Sequence, residues 1–258
     1  PRAADRNPDP RVVEIDLEAR VGEWEISPGR RVRAMTYNGS VPGPLIEARV
    51  GDTLVVHFTN RLDEPTTIHW HGVRVPANMD GGPHSQPPIA AGATFEYRFS
   101  LLDAGTFWYH PHVHEGVQME RGLYGAIVVR GDAESRVDAE GVLVLDDVLL
   151  GADGQIAPSG DLLEQHNGRE GGVSLVNGRA GVELPFRAGQ RQLWRVVNAG
   201  SARFYRLALW PDLFGGCCLA REWGRLGSPG KLRCDPYASA EEAGRALERL
   251  ARAKRKRG

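Results

Sequence analysis

Two His-x-His pairs set beside aromatic residues constrain this chain more than any other feature. They are His69-Trp70-His71 and His110-Pro111-His112, the second preceded by Trp108-Tyr109. In an extended strand, side chains at i and i+2 project from the same face, roughly 7 Å apart. Each pair therefore offers two imidazoles to one side. That spacing suits metal ions better than a packed core, and imidazole serves copper, zinc, iron and nickel alike. One such pair is a weak signal. Two in strand-like sequence point to a metal site on a β scaffold.

The surrounding segments read as strands. Residues 11–17, 31–37, 53–59 and 94–100 alternate apolar and polar positions, and 66–71, 106–112 and 124–130 add further strands. Turn residues separate them at Pro42-Gly43-Pro44, Gly51-Asp52, Asn78 to Gly82 and Ala91-Gly92. Short strands at this spacing predict an all-β fold, a Greek-key sandwich or barrel. Pro111 cannot donate to a sheet ladder, so it belongs at a strand end or edge, where a metal could reach its neighbours. A second set of strands reads at 141–147, 173–176, 190–198 and 203–209, beyond a charged link at 130–140. The expected division is a first domain over 1–131, a partial second domain over 140–210, and an atypical tail over 211–258.

The tail differs in composition. From Gly216 onward it holds 11 Lys or Arg against five Asp or Glu, a balance of +6, whereas the preceding 215 residues balance at −7. All three lysines (Lys231, Lys254, Lys256) and all three cysteines (Cys217, Cys218, Cys234) lie in it. After Trp210 the strand pattern fades. Ser239 with Glu242 fits a capping box, and Ala243, Leu247 and Leu250 share a helical face, so a helix is expected over 239–256. The break suggests a different origin, a frameshifted or foreign sequence. Across the chain, no apolar run approaches the roughly 20 residues needed to span a bilayer.

At the histidines the chain becomes recognisable by family. Tyr37-Asn38-Gly39-Ser40-Val41-Pro42-Gly43-Pro44, Gly51-Asp52-Thr53, Thr67-Ile68-His69-Trp70-His71-Gly72, Asn78-Met79-Asp80-Gly81, Ser85-Gln86-Pro87-Pro88-Ile89, Ala104 to His112, and Gly122-Leu123-Tyr124-Gly125 follow one another. In this order and spacing they resemble the amino-terminal cupredoxin domain of the multicopper oxidases, the family of laccases and bacterial copper oxidases. Val144-Leu145-Asp146-Asp147, Val176-Asn177-Gly178-Arg179 and Arg195-Val196-Val197-Asn198-Ala199 resemble, more weakly, its second cupredoxin domain.

The resemblance implies a cupredoxin-like Greek-key sandwich, a partial second cupredoxin domain and a non-homologous tail. It also implies copper. In that family a type 1 copper collects single electrons from a reductant, and a trinuclear centre of one type 2 and two type 3 coppers reduces dioxygen to water. By motif, His69 would bind the type 2 copper, His71 and His110 one type 3 copper, and His112 the other. Asp80 would be the carboxylate that supplies protons; an Asp before Gly81 also fits a turn that bonds its own backbone. Dioxygen and a small reducing substrate are the expected partners, with no nucleic acid and no membrane span. The polar start at Pro1 fits a removed export signal or a cloning boundary, and the resemblance favours a periplasmic or secreted protein.

Parts of the family's site are not in this sequence. No cysteine adjoins a histidine, and no histidine follows His166, so the His₂Cys set of a blue-copper site cannot be built here. The expectation is a truncated oxidase with half the trinuclear ligands and no type 1 site, inactive as this chain alone. The alternative is a non-enzymatic exported copper-binding module; a zinc hydrolase-like site fits the flanking motifs less well. His57, His84 and His166 read as structural or solvated, and His114 as a rim residue, although alternation would place it with His110 and His112. Trp70, Trp108 and Tyr109 read as core packing, and the three cysteines as incidental.

Overall fold

The computed structural model describes residues 1–132, 137–182, 184 and 191–205, together with the backbone of three strands between 209 and 237. The chain divides into two units, Pro1–Arg203 and Phe204–Gly258.

The first unit begins with β1 (Val12–Ser27), β2 (Arg30–Tyr37), β3 (Ile46–Arg49), β4 (Thr53–Asn60), β5 (His69–His71), β6 (Thr94–Ser100), β7 (Gly105–His110) and, after the short helix α1 (Glu115–Glu120), β8 (Gly125–Arg130). They form two four-stranded sheets, ordered β2-β1-β4-β6 and β3-β8-β7-β5. Most neighbours are antiparallel, but β1 lies parallel to β4 and β3 parallel to β8. Ile15, Leu17, Leu54, Val56, Phe58 and Tyr97 from one sheet meet Ile46, Trp70, Tyr109, Ile127 and Val129 from the other in a single core. This is the cupredoxin-like sandwich that the sequence predicts.

β1 runs further than the 11–17 segment its alternation suggests. Val13, Ile15, Leu17 and Ala19 are buried on one face and Trp24 and Ile26 on the other. The phase changes because the strand serves two cores. Its first half pairs with β4 over the sandwich core. Its second half pairs with β2 and faces a second core, where Trp24, Ile26, Val32, Ala34, Tyr124 and Ala126 meet Val144, Val148, Leu175 and Val197. β8 is buried on both faces, with Ile127 and Val129 in the first core and Ala126 in the second. Hence Ala126–Val129 is a continuous apolar run rather than an alternating one.

The second core is completed by β9 (Ala139–Val148), β10 (Val173–Val176) and β11 (Gln192–Asn198); the short helix α2 (Leu162–Asn167) lies between β9 and β10 in the chain, and none of its described residues joins that core. The three strands form a sheet ordered β10-β9-β11. Trp24 ties β1 to this part by donating from Nε1 to the Gly178 carbonyl, 2.7 Å.

In the second unit, β12 (Leu209–Pro211), β13 (Cys217–Trp223) and β14 (Lys231–Tyr237) form an antiparallel sheet. The fading pattern after Trp210 therefore conceals two seven-residue strands, whose charged residues interrupt the apolar positions. In the backbone register Cys234 lies opposite Ala220 and Cys217 opposite Tyr237. The helix expected over 239–256 lies outside the described residues.

Candidate metal centre

β5 and β7 pair antiparallel, with His69 opposite His110, Trp70 opposite Tyr109 and His71 opposite Trp108. Alternation then sorts the side chains. Trp70 and Tyr109 turn inward and are fully buried, and Tyr109 donates its hydroxyl to the Pro44 carbonyl at 2.8 Å. His69, His71 and His110 turn to the opposite face. Trp108 stands with them, its ring centroid 5.0 Å from that of His71 and 4.2 Å from that of His110. Trp108 is thus part of the histidine face, whereas Trp70 and Tyr109 are core as expected.

His112 reaches the same place by another route. β7 ends at His110, because Pro111 can extend no ladder. The position of His112 is fixed by its backbone N–H, which donates to Thr67 Oγ1 at 3.2 Å, and by its ring, which stacks on His69 with centroids 4.0 Å apart. His114 leaves the group. It adopts a left-handed conformation (φ 45°, ψ 44°) ahead of α1 and is exposed. His57 bonds Glu14 through Nε2 at 2.8 Å, away from the site. His84 is exposed, and the His166 side chain lies outside those described.

The second nitrogens are held. His69 Nδ1 lies 2.9 Å from Asp80 Oδ1 and 3.2 Å from the Asp80 carbonyl. Both are acceptors, so Nδ1 carries the proton and Nε2 keeps its lone pair. His110 Nδ1 donates to the Pro111 carbonyl at 3.0 Å, which leaves its Nε2 bare, 3.2 Å from His71 Nδ1. Burial pushes the His110 imidazole down to about 3. Desolvation, reinforced by the charge His69 would carry, also lowers His71 and His112. Neutral imidazoles with converging ring nitrogens are what a borderline metal such as copper requires, the proton His71 Nδ1 donates to His110 Nε2 being displaced on binding, so the residues present fit that ion. One coordinating atom from each of His69, His71 and His110 lies within 4.8 Å of the others, and the same holds for His110, His112 and Glu115.

Asp80 is positioned by a loop folded against the start of β5. Gly81 has φ +71°, and a Cβ there would fall 2.4 Å from the Ile68 carbonyl oxygen. Its N–H donates to Gln86 Oε1 at 2.9 Å, and Gln86 Nε2 donates to the buried Tyr97 hydroxyl at 2.8 Å. Glu115, absent from the sequence-derived site, comes within 3.4 Å of His110 Nδ1. Only a carboxylate three residues after His112 hints at it, and the left-handed turn that brings it back has no sequence signature at a histidine.

A family model described as multicopper oxidase matches residues 18–134, and one described as WGR domain matches residues 191–258. Multicopper oxidase MmcO of Mycobacterium tuberculosis is 36% identical over 211 residues, 70% of this chain and 42% of that protein. A copper resistance protein A homolog of Pseudomonas syringae pv. tomato is 46% identical over 119 residues, 45% of this chain and 20% of that protein. Among solved structures, a multi-copper oxidase from Pseudomonas thermotolerans superposes with a TM-score of 0.72 at 37% identity, covering 88% of this chain and 55% of that one. One from Campylobacter jejuni superposes with a TM-score of 0.73 at 32% identity, covering 92% and 50%. The chain thus spans about half the length of these structures and 42% of the mycobacterial protein.

Proposed function

Through residues 18–134 the chain belongs to the multicopper oxidase family, and from that premise we propose that it carries one half of a copper centre for dioxygen reduction. The observation that carries this reading is the convergence of both His-x-His pairs, with His71 Nδ1 and His110 Nε2 only 3.2 Å apart. His69 would hold the type 2 copper, His71 and His110 one type 3 copper, and His112 the other. Copper bound there would supply reversible one-electron chemistry toward dioxygen, with a small reductant as electron donor.

The chain's own residues do the rest. Asp80 fixes the His69 tautomer from its partly exposed position and is the carboxylate we assign to proton supply. The Pro111 carbonyl fixes His110, and Thr67 fixes His112. Trp108 covers His71 and His110 on one side. The two cupredoxin parts over 1–131 and 140–210, the lack of a type 1 site, and residence outside the cytoplasm are parts of the same proposal. No helix among the described residues is long and apolar enough to cross a membrane.

A second reading, a copper-binding module without catalysis, is favoured by one feature: no cysteine adjoins a histidine. Copper titration with an oxygen electrode tests both. We expect the full chain to bind copper, to lose binding in H71A and H110A, and to lack the strong visible band near about 600 nm of a copper–thiolate site of the His₂Cys kind. Unaltered binding in both variants would refute the site. Oxygen consumption with a reductant, at a rate set by bound copper, would refute the module reading.

A further inference from the structure

We propose that Glu115 is a positioning residue for copper held by His110, its carboxylate lying behind that imidazole rather than in front of it. The proposal rests on the half-centre reading above and adds to it a residue that no motif supplies.

The Pro111 carbonyl can only accept, so His110 Nδ1 is the donor and its lone pair lies at Nε2, facing His71. Glu115 Oε1 sits on the Nδ1 side, at 3.4 Å. A single ion on Nε2 cannot also lie against a group on that side, which excludes Glu115 as a shared ligand with His110. The carboxylate instead stands as a negative charge beside the N–H that the ring turns away from the metal. A Glu115 oxygen also falls within 4.8 Å of a ring nitrogen of His112.

The position of Glu115 is built in. The left-handed turn at His114 reverses the chain, so that the first residue of α1 returns toward His110. α1 is then pinned from below. Its fully buried Gln118 donates to Glu64 Oε1 at 2.7 Å and to the Pro65 carbonyl at 2.9 Å, and accepts from Thr66 Oγ1 at 2.7 Å. The same 64–67 segment ends in Thr67, which holds the His112 backbone. One segment thus supports both the helix that carries the carboxylate and the neighbouring His112. A carboxylate behind a ligating imidazole fixes its tautomer and raises its basicity, and removing such a group costs about 10–100-fold in metal affinity.

The test is Cu²⁺ titration against a competing chelator in the full chain, in E115A and E115Q, with E96Q beside His57 as control. Paramagnetic resonance of the bound ion and the melting temperature of each metal-free protein are recorded alongside. We expect E115A to bind copper about 10–100-fold more weakly, with altered nitrogen hyperfine structure and an unchanged metal-free melting temperature. E115Q, which keeps an acceptor oxygen, should lose less, and E96Q nothing. Wild-type affinity in E115A overturns the proposal. So does an equal loss in E115A and E115Q, which would mark a direct ligand, and so does a loss matched by lowered metal-free stability in both variants. If the wild-type chain binds no copper, or H110A binds as well as wild type, the half-centre reading itself fails and this proposal with it.

Discussion

Replacing Asp146 with Asn should stabilise the first unit at alkaline pH and do so much less at pH 5. Asp146 is 4% exposed on β9 and accepts the Tyr124 hydroxyl at 2.6 Å. Burial is the main cause that raises its carboxyl from 3.8 to about 7. The Tyr124 bond and a backbone bond oppose this, and the nearby Asp147 and Glu120 charges add to it. The folded state therefore binds this proton more tightly than the unfolded chain. Stability is full below pH about 4 and is lost as pH rises through about 7. At about 1.4 kcal/mol per unit, the loss reaches about 4 kcal/mol, of which about 3 falls between pH 5 and 8. Asn has no such titration, and any constant cost of its amide cancels between the two pH values. Urea unfolding of both proteins at pH 5 and 8 should show D146N gaining about 3 kcal/mol on wild type across that interval. An equal difference at both pH values would show that Asp146 stays ionised in the fold and would refute the reasoning.

Gly125→Ala should disrupt the sandwich and the metal site together. A Cβ at Gly125 would lie 2.3 Å from Tyr109 Oη, so Tyr109 must move, and His110 follows it in β7. We expect a loss of about 1–3 kcal/mol and lowered copper binding, read by thermal unfolding and titration. A chain ending at Arg203 should bind copper as the full chain does, because all four histidines and their hydrogen-bond partners lie in the first unit. A lost site in that shorter chain would show that the second unit shapes it.

The histidine set was legible because period-two alternation carries two imidazoles to one face without knowledge of the partner strand. Alternation places His69 with His71, but the register that sets His69 opposite His110 is a tertiary fact. His112 joins the other rings for a reason other than alternation. It lies beyond the strand end, and Thr67 and the His69 ring do what alternation was expected to do. β3 was missed because four residues, Ile-Glu-Ala-Arg, give too short a window for a period. The phase change within β1 was missed because a strand lying over two cores has two alternations, and each looks like noise to the other. The strands of the second unit were missed for a related reason, with Arg, Glu, Lys and Asp breaking their apolar positions. The Trp223-Gly224-Arg225 tripeptide was the available sign of the second matching family.

The placement of the site follows from the edge at which it is built. β5 is the outermost strand of its sheet and only three residues long. A short edge strand leaves little open ladder to pair with another chain. Here the 77–86 segment also folds back on it and delivers Asp80 to His69. The inward faces of β5 and β7 are locked by Trp70 and Tyr109, so the outward histidines stand on a rigid base. The four imidazole rings gather on this one side, with His69 within 5.4 Å of each of the other three by ring centroid. Few nitrogen donors would therefore be available to each ion. The physical expectation is therefore loose copper binding, tightened where His69 and His110 are pinned by their acceptors.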